Sequence, residues 1–352
     1  MTEFDATASA EAFATHPDWA DAGGWAEVAH TADPNDELFG HVVEEVSIDG
    51  AETKATEQTT STEQATSKPE YEALLVGEPF DGAVIGRPGA SEGPIAIRKA
   101  LARTKTHHFD SGRIASVGDL GDVAELLEVE AGDVGETTTV AEIQNRLLDT
   151  TAAVHDLDAL PIFVGGDNSL TYPNVAPLLE RASVGVINLD AHLDVREVRD
   201  DPTSGTPYRQ LLEAGLDGYV CLGARHFETS GAYHEYVHER GGEVVTAEEV
   251  GEDPVEAVDV ALNSLGPVDH VYVSVDCDVL EASAAPGVSA PTPGGITTRE
   301  LFRTLRLLAS DDRIAGFEVV ECAPPLDRTG LTATAAGRAI AHFLAGYLEG
   351  RR

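Results

Sequence analysis

Asp190, His192 and Asp194 stand at every second position in Asn188-Leu189-Asp190-Ala191-His192-Leu193-Asp194-Val195-Arg196, directly after the apolar run Val184-Gly185-Val186-Ile187. The run reads as a buried strand. A chain leaving that strand in extended geometry would turn all three side chains to one side, because side chains alternate with a period of two. Asp276 and Asp278 repeat the spacing after Val271-Tyr272-Val273-Ser274-Val275. Gly165-Gly166-Asp167-Asn168-Ser169 and Glu318-Val319-Val320-Glu321 are two further acidic motifs at the ends of strand-like runs. Hard oxygen donors with one imidazole suit Mn²⁺ or Mg²⁺ better than a thiolate metal. Four crowded carboxylates repel unless a cation, or two, lies among them. Two ions can activate a water and stabilise the negative charge that develops on attack. A lone Asp-x-Asp is ordinarily a helix cap or a solvated turn, but two such clusters, each behind an apolar strand, favour a metal site. His107, His108 and His226 read as ordinary loop residues, and Cys277 as a small hydrophobe packed inward.

These motifs need a sheet to align them. From Tyr71 onward, strand-like runs alternate with amphipathic runs. Strands are expected at Ala73 to Val76, Leu160 to Val164, Tyr219 to Leu222, Glu243 to Thr246, His270 to Val275 and Ile314 to Val320. Helices are expected at Glu92 to Ala102, Val140 to Leu157, Ser169 to Arg181 and Ala333 to Leu348. This alternation implies an α/β fold with a mostly parallel sheet covered on both faces by helices. Ligands in such sheets bind beyond the carboxyl ends of the strands. Residues 1–47, with Trp19 and Trp25, read as an N-terminal arm. Residues 48–69, rich in Thr, Glu, Ser and Ala, read as a linker or loop. Residues 70–352 read as one catalytic domain.

The chain has 352 residues, with 62 Asp and Glu against 23 Lys and Arg, a formal net charge of −39. So few basic residues argue against a nucleic-acid or anionic-membrane partner. The acid is spread along the whole chain, which suggests a solvated surface adapted to high salt rather than an acidic tail. Cys221, Cys277 and Cys322 are three cysteines without short spacing, so neither a disulfide framework nor a cysteine zinc site is expected. No basic, apolar leader opens the sequence and no apolar run is long enough to span a bilayer, so a cytoplasmic location is expected.

The combination of Asp190-Ala191-His192-Leu193-Asp194, Ser274-Val275-Asp276-Cys277-Asp278 and Pro291-Thr292-Pro293-Gly294-Gly295 resembles the ureohydrolase superfamily of arginases, agmatinases and formimidoylglutamases. Gly86-Arg87-Pro88-Gly89-Ala90 and Gly93-Pro94-Ile95-Ala96-Ile97-Arg98 add to the likeness, which runs from about Tyr71 to the C-terminus. The resemblance implies a three-layer α/β/α fold with two Mn²⁺ per subunit. By position, Asp190 and Asp276 would bridge both ions, His192 and Asp278 would complete one, and Asp194 with Asn168 the other. The family usually has His where this chain has Asn168, so the ion on that side should bind more loosely. Ser204-Gly205-Thr206-Pro207 and Asp194-Val195-Arg196 are similar to formimidoylglutamases, whereas arginases and agmatinases place a His-Gly pair in the first of these loops. The implied activity is hydrolysis of N-formimidoyl-L-glutamate to L-glutamate and formamide. Asp278 would handle protons and Glu321 would hold the cationic formimino end, with Glu318 as a companion. Ser204, Arg196 and Arg209 would contact the substrate, since guanidinium matches carboxylate, although an ion pair serves Arg209 equally well. A urea-releasing agmatinase, guanidinobutyrase or arginase type is the alternative enzyme. A metal-poor, non-catalytic paralogue is the alternative outside enzymes. The resemblance also implies a homo-oligomer, a trimer or hexamer, acting on a small-molecule amidine.

Overall fold

A computed structural model describes residues 9–51, 71–130 and 138–352 of the chain. Twelve strands are described: β1 (Phe13–Ala14), β2 (Glu44–Glu45), β3 (Ala73–Glu78), β4 (His107–His108), β5 (Gly112–Arg113), β6 (Val117–Val123), β7 (Leu160–Gly165), β8 (Val184–Leu189), β9 (Gly218–Ala224), β10 (Glu243–Thr246), β11 (His270–Asp276) and β12 (Ile314–Val320). Ten of them form one sheet in the order β1-β6-β3-β7-β12-β11-β8-β9-β10, with β2 also paired to β6, while β4 and β5 form a separate hairpin. Within the sheet only β1 runs antiparallel to its neighbour.

Alternating residues of each central strand go to opposite faces, as a period of two requires. Ala73, Leu75, Ile162, Val164, Ile187 and Leu189 join one apolar core with helices Gly93–Ala102, Pro254–Ser264, Thr298–Ala309 and Leu331–Gly350. Leu74, Val76, Phe163, Val184, Val186 and Tyr272 join the other with helices Val140–His155, Thr171–Leu179 and Pro207–Ala214. The result is the three-layer α/β/α arrangement expected from the alternation. Each fully buried Leu, Val or Phe contributes on the order of 1.5–3 kcal/mol, so the sheet is held rigidly from both sides.

β7, β12, β11 and β8 are consecutive neighbours. Val164 pairs with Val319, Val319 with Val275, and Val275 with Leu189, so four parallel strands end in register. The next residues along the four chains are Gly165, Val320, Asp276 and Asp190. All four acidic motifs therefore emerge on one edge.

β6 was not expected from the sequence. Its seven residues include Gly118, Asp119, Gly121 and Asp122, a poor strand composition. The acids are satisfied internally. Arg98 donates to Asp119 at 2.9 Å and pairs with Asp122, all three nearly inaccessible, and Trp25 Nε1 donates to Asp119 at 2.9 Å. Arg98 of the Gly93-Pro94 motif is thus a structural anchor between helix and sheet. Trp19 and Trp25 are buried and stack edge to face at 5.3 Å, which docks the N-terminal stretch on the sheet edge. Ile48 is also buried. Most of the segment expected to be a linker lies outside the described residues.

Candidate metal centre

Three of the four strand ends use the same local device. Asp190 Oδ1 accepts from the His192 N–H at 2.7 Å, Asp276 Oδ1 from the Asp278 N–H at 2.8 Å, and Asp167 Oδ1 from the Ser169 N–H at 2.9 Å. An aspartate that bonds the backbone two residues on makes a tight turn. The expectation that Asp190, His192 and Asp194 share a side through continued strand geometry is therefore corrected. The strand stops at Leu189, and the chain folds back, with Asp194 at φ +44°. Glu321 likewise sits at φ +61°. Positive φ at non-glycine residues costs free energy and is concentrated where function demands a geometry.

The turns gather two groups of donors that share Asp190. Ligand atoms of Asp190, His192 and Asp278 lie within 4.8 Å of one another, as do those of Asp190, Asp194 and Asp276. His192 Nδ1 is 3.1 Å from Asp278 Oδ2 and 3.3 Å from Asp190 Oδ1. Burial opposes an imidazolium here, but the hydrogen bonds and charges of Asp190 and Asp278 outweigh it and raise the His192 pKa. Burial, reinforced by the neighbouring acids, pushes the Asp194 and Asp276 pKa values well up. Packed carboxylates behave this way when like charges share a dry site. The donor set is oxygen-rich, dense and nearly enclosed, and it fits hard divalent cations.

Asn168 is fully buried beside the second group. Its Nδ2 donates to Asp194 at 2.7 Å, and its Oδ1 accepts from the Thr171 hydroxyl at 2.6 Å. Glu321 Oε1 accepts from the Asn168 N–H at 3.1 Å, while Glu321 Oε2 is buried without a partner among the described residues. Burial first, then the charge of Asp167, raises the Glu321 pKa. Asp167 is itself raised to about 6 by burial, despite accepting from the Ala83 N–H at 2.8 Å.

Two residues missed in the sequence complete the surroundings. Arg225, just beyond β9, donates to the Thr292 hydroxyl at 2.5 Å, to the Leu280 carbonyl at 2.6 Å and to the Asp278 carbonyl. It ties the Pro291-Thr292-Pro293-Gly294-Gly295 loop to the backbone of Asp278. Glu228 Oε2 lies 3.7 Å from His192 Nε2, and its neighbour Phe227 is fully exposed at φ +73°. The only signal for either was a polar residue after an apolar strand.

The substrate candidates separate. Arg196 is exposed, and its backbone N–H donates to the Gly205 carbonyl at 2.9 Å. Ser204 is buried, its Oγ accepting from the Ile85 N–H at 3.2 Å. Arg209 is engaged elsewhere. Its Nε donates to the carbonyls of Val195 at 2.8 Å and Arg196 at 3.0 Å, and its guanidinium lies 3.7 Å over the Tyr236 ring. Glu318 is wholly buried under the site, accepts from Tyr272 and Asn174, and has Oε1 2.6 Å from the Thr171 hydroxyl. Cys277 is buried in the apolar core.

The arginase family model matches residues 71–346. A formimidoylglutamase of Halobacterium salinarum is 53% identical over 320 residues, covering 90% of this chain and 96% of that protein. The crystal structure of formimidoylglutamase from Bacillus subtilis superposes with a TM-score of 0.76 at 28% identity, covering 91% of this chain and 94% of that one. A formiminoglutamase of Trypanosoma cruzi solved with Mn²⁺ superposes with a TM-score of 0.70 at 26% identity, covering 81% and 96%.

Proposed function

The chain belongs to the arginase family, and from that premise we infer that it hydrolyses the amidine C–N bond of N-formimidoyl-L-glutamate, giving L-glutamate and formamide. The observation that carries the chemistry is the pair of donor groups sharing Asp190. The substrate follows from the likeness to formimidoylglutamases, and Ser204 in place of a His-Gly pair supports it. Asp190, His192 and Asp278 would hold one Mn²⁺, and Asp190, Asp194 and Asp276 the other, with Asn168 beside it. When bound, the ions supply Lewis acidity and a water that is nucleophilic at neutral pH.

The residues then divide the work. Water adds to the formimino carbon, the bond from that carbon to the glutamate nitrogen breaks, and a proton must move from the water to the departing nitrogen. We assign that transfer to Asp278, whose Oδ2 lies 3.1 Å from His192 Nδ1. Glu321, with one oxygen free, holds the cationic formimino end and stabilises charge as the carbon becomes tetrahedral. Arg196, rather than the engaged Arg209, would meet a substrate carboxylate. Glu318 acts from beneath and does not reach the substrate. Among the described residues no helix is long and apolar enough to cross a membrane. A homotrimer or hexamer in a cytoplasm at high salt is the expected setting.

The test is an assay with Mn²⁺ in molar salt on formimidoylglutamate, agmatine and arginine. Formamide from the first, with no urea from the others, is expected. Urea from a guanidino substrate and no formamide would overturn the substrate assignment. No hydrolysis of any of them, with less than one Mn²⁺ bound per chain, would favour a non-catalytic paralogue.

A further inference from the structure

Asn168 and Glu318 are joined through one hydroxyl. Thr171 Oγ lies 2.6 Å from Asn168 Oδ1 and 2.6 Å from Glu318 Oε1, all fully buried. A hydroxyl carries a single proton, so Thr171 donates to one of these oxygens and accepts at the other. At the far end Asn168 Nδ2 donates to Asp194 at 2.7 Å. The sequence Asp194–Asn168–Thr171–Glu318 is thus a hydrogen-bond chain with a direction, and it runs between two carboxyl groups.

Both ends cannot accept at once. With the amide N–H turned to Asp194, the Thr171 proton goes to Asn168 Oδ1 and the Glu318 end has to be the donor. In the opposite direction Thr171 donates to Glu318, the amide N–H donates to Thr171 Oγ, and Asn168 Oδ1 faces Asp194. Two oxygens then meet at the short distance now spanned by an N–H, an arrangement that needs a cation beside them. Glu318 is well suited to be the accepting end of that second state. Its Oε2 already takes the Tyr272 hydroxyl at 2.9 Å and Asn174 Nδ2 at 3.1 Å, which fixes the carboxyl and leaves Oε1 for Thr171.

We propose that Thr171 and Glu318 are positioning residues that set which atom of Asn168 faces the metal centre: the chain runs toward Glu318 when an ion is held at Asp194, and only then does Asn168 present its oxygen as a ligand. The proposal rests on the two-ion reading above. It explains how an amide at position 168 holds an ion on that side: the amide is oriented from beneath.

The test uses Mn²⁺ titration of the metal-stripped full chain in high salt, following free Mn²⁺ by electron paramagnetic resonance, with no activity readout needed. Wild type should show two binding steps. Glu318→Gln removes no contact. Its carbonyl oxygen must take the place that accepts from both Tyr272 and Asn174, so its NH₂ faces Thr171 and holds the chain in the direction that turns the Asn168 N–H outward. The step at Asp194 should weaken by about 10–100-fold, the range found for residues that orient metal ligands, and the step at His192 should stay within about threefold. Thr171→Val should weaken the same step and Thr171→Ser should restore it. If Glu318→Gln leaves both steps as in wild type, or Thr171→Ser falls as far as Thr171→Val, the relay is wrong. A wild type that binds no Mn²⁺ would instead sink the two-ion reading, and the relay with it. Thermal melts identify a valine variant that fails to fold, and the glutamine variant then decides the question.

Discussion

Gly295→Ala tests how the Pro-Gly-Gly loop supports the centre. A Cβ at Gly295 would lie 2.5 Å from the Leu280 carbonyl carbon and 2.6 Å from the Glu281 nitrogen, and closer still to Arg225 Nη2. Real Cβ atoms do not approach backbone this closely, so the loop or Arg225 has to move. Overpacking of this kind costs roughly 1–3 kcal/mol. The Arg225 bonds to the carbonyls of Asp278 and Leu280 are at risk, at about 1.5–3 kcal/mol for a hydrogen bond from a charged donor. A loss of about 3–5 kcal/mol is therefore expected. Because Arg225 grips the carbonyl of Asp278, Mn²⁺ affinity at the His192 step should fall as well. Gly294→Ala is the control. Gly294 has φ +91° but nothing within 4 Å of its Cβ position, so it should lose only about 1 kcal/mol from backbone strain and leave Mn²⁺ binding alone. Chemical unfolding at constant high salt and Mn²⁺ titration give both numbers. If Gly295→Ala proves no worse than Gly294→Ala on both, Arg225 does not hold the loop and Asp278 in the way described.

Two further outcomes are expected. Asn168→His should tighten Mn²⁺ at the Asp194 step by about tenfold or more, since imidazole is the stronger donor; unchanged affinity would place residue 168 outside the ligand set. His155, whose Nε2 bonds the Asn174 carbonyl at 2.7 Å, is lowered by burial to a pKa of about 4. The folded chain therefore favours the neutral ring, the unfolded chain takes up the proton first, and stability falls as pH drops from about 6.5 towards 4, by at most roughly 3 kcal/mol. His155→Gln should flatten that part of the stability profile measured by chemical unfolding; an unaltered slope would assign the acid sensitivity to other groups.

The strands that carry the centre were readable because they are continuous apolar runs buried on both faces, and their register could follow only one edge. Asp190, His192, Asp194, Asp276 and Asp278 stood out because two acid clusters, each behind an apolar run, are more than a cap or turn ordinarily accounts for. The turns that bring them together were not readable from periodicity. Asp190 and Asp276 bond the backbone two residues on, so the shared side arises from folding back and not from extension. β6 escaped because its acids are neutralised by Arg98 from a distant helix. Arg209 was open to either reading from the sequence, because a guanidinium after a site motif serves backbone carbonyls and Tyr236 as readily as a ligand. The direction of the Asn168 chain depends on Thr171, three residues on, and on Glu318, brought in by another strand, and no local pattern links the three.

The central claim is a two-ion centre built on Asp190. Anomalous diffraction from crystals grown in Mn²⁺ tests it most directly. Two peaks are expected, one among Asp190, His192, Asp276 and Asp278, the other among Asp190, Asp194 and Asp276 on the Asn168 side. No peak, or a single peak away from Asp190, would contradict it.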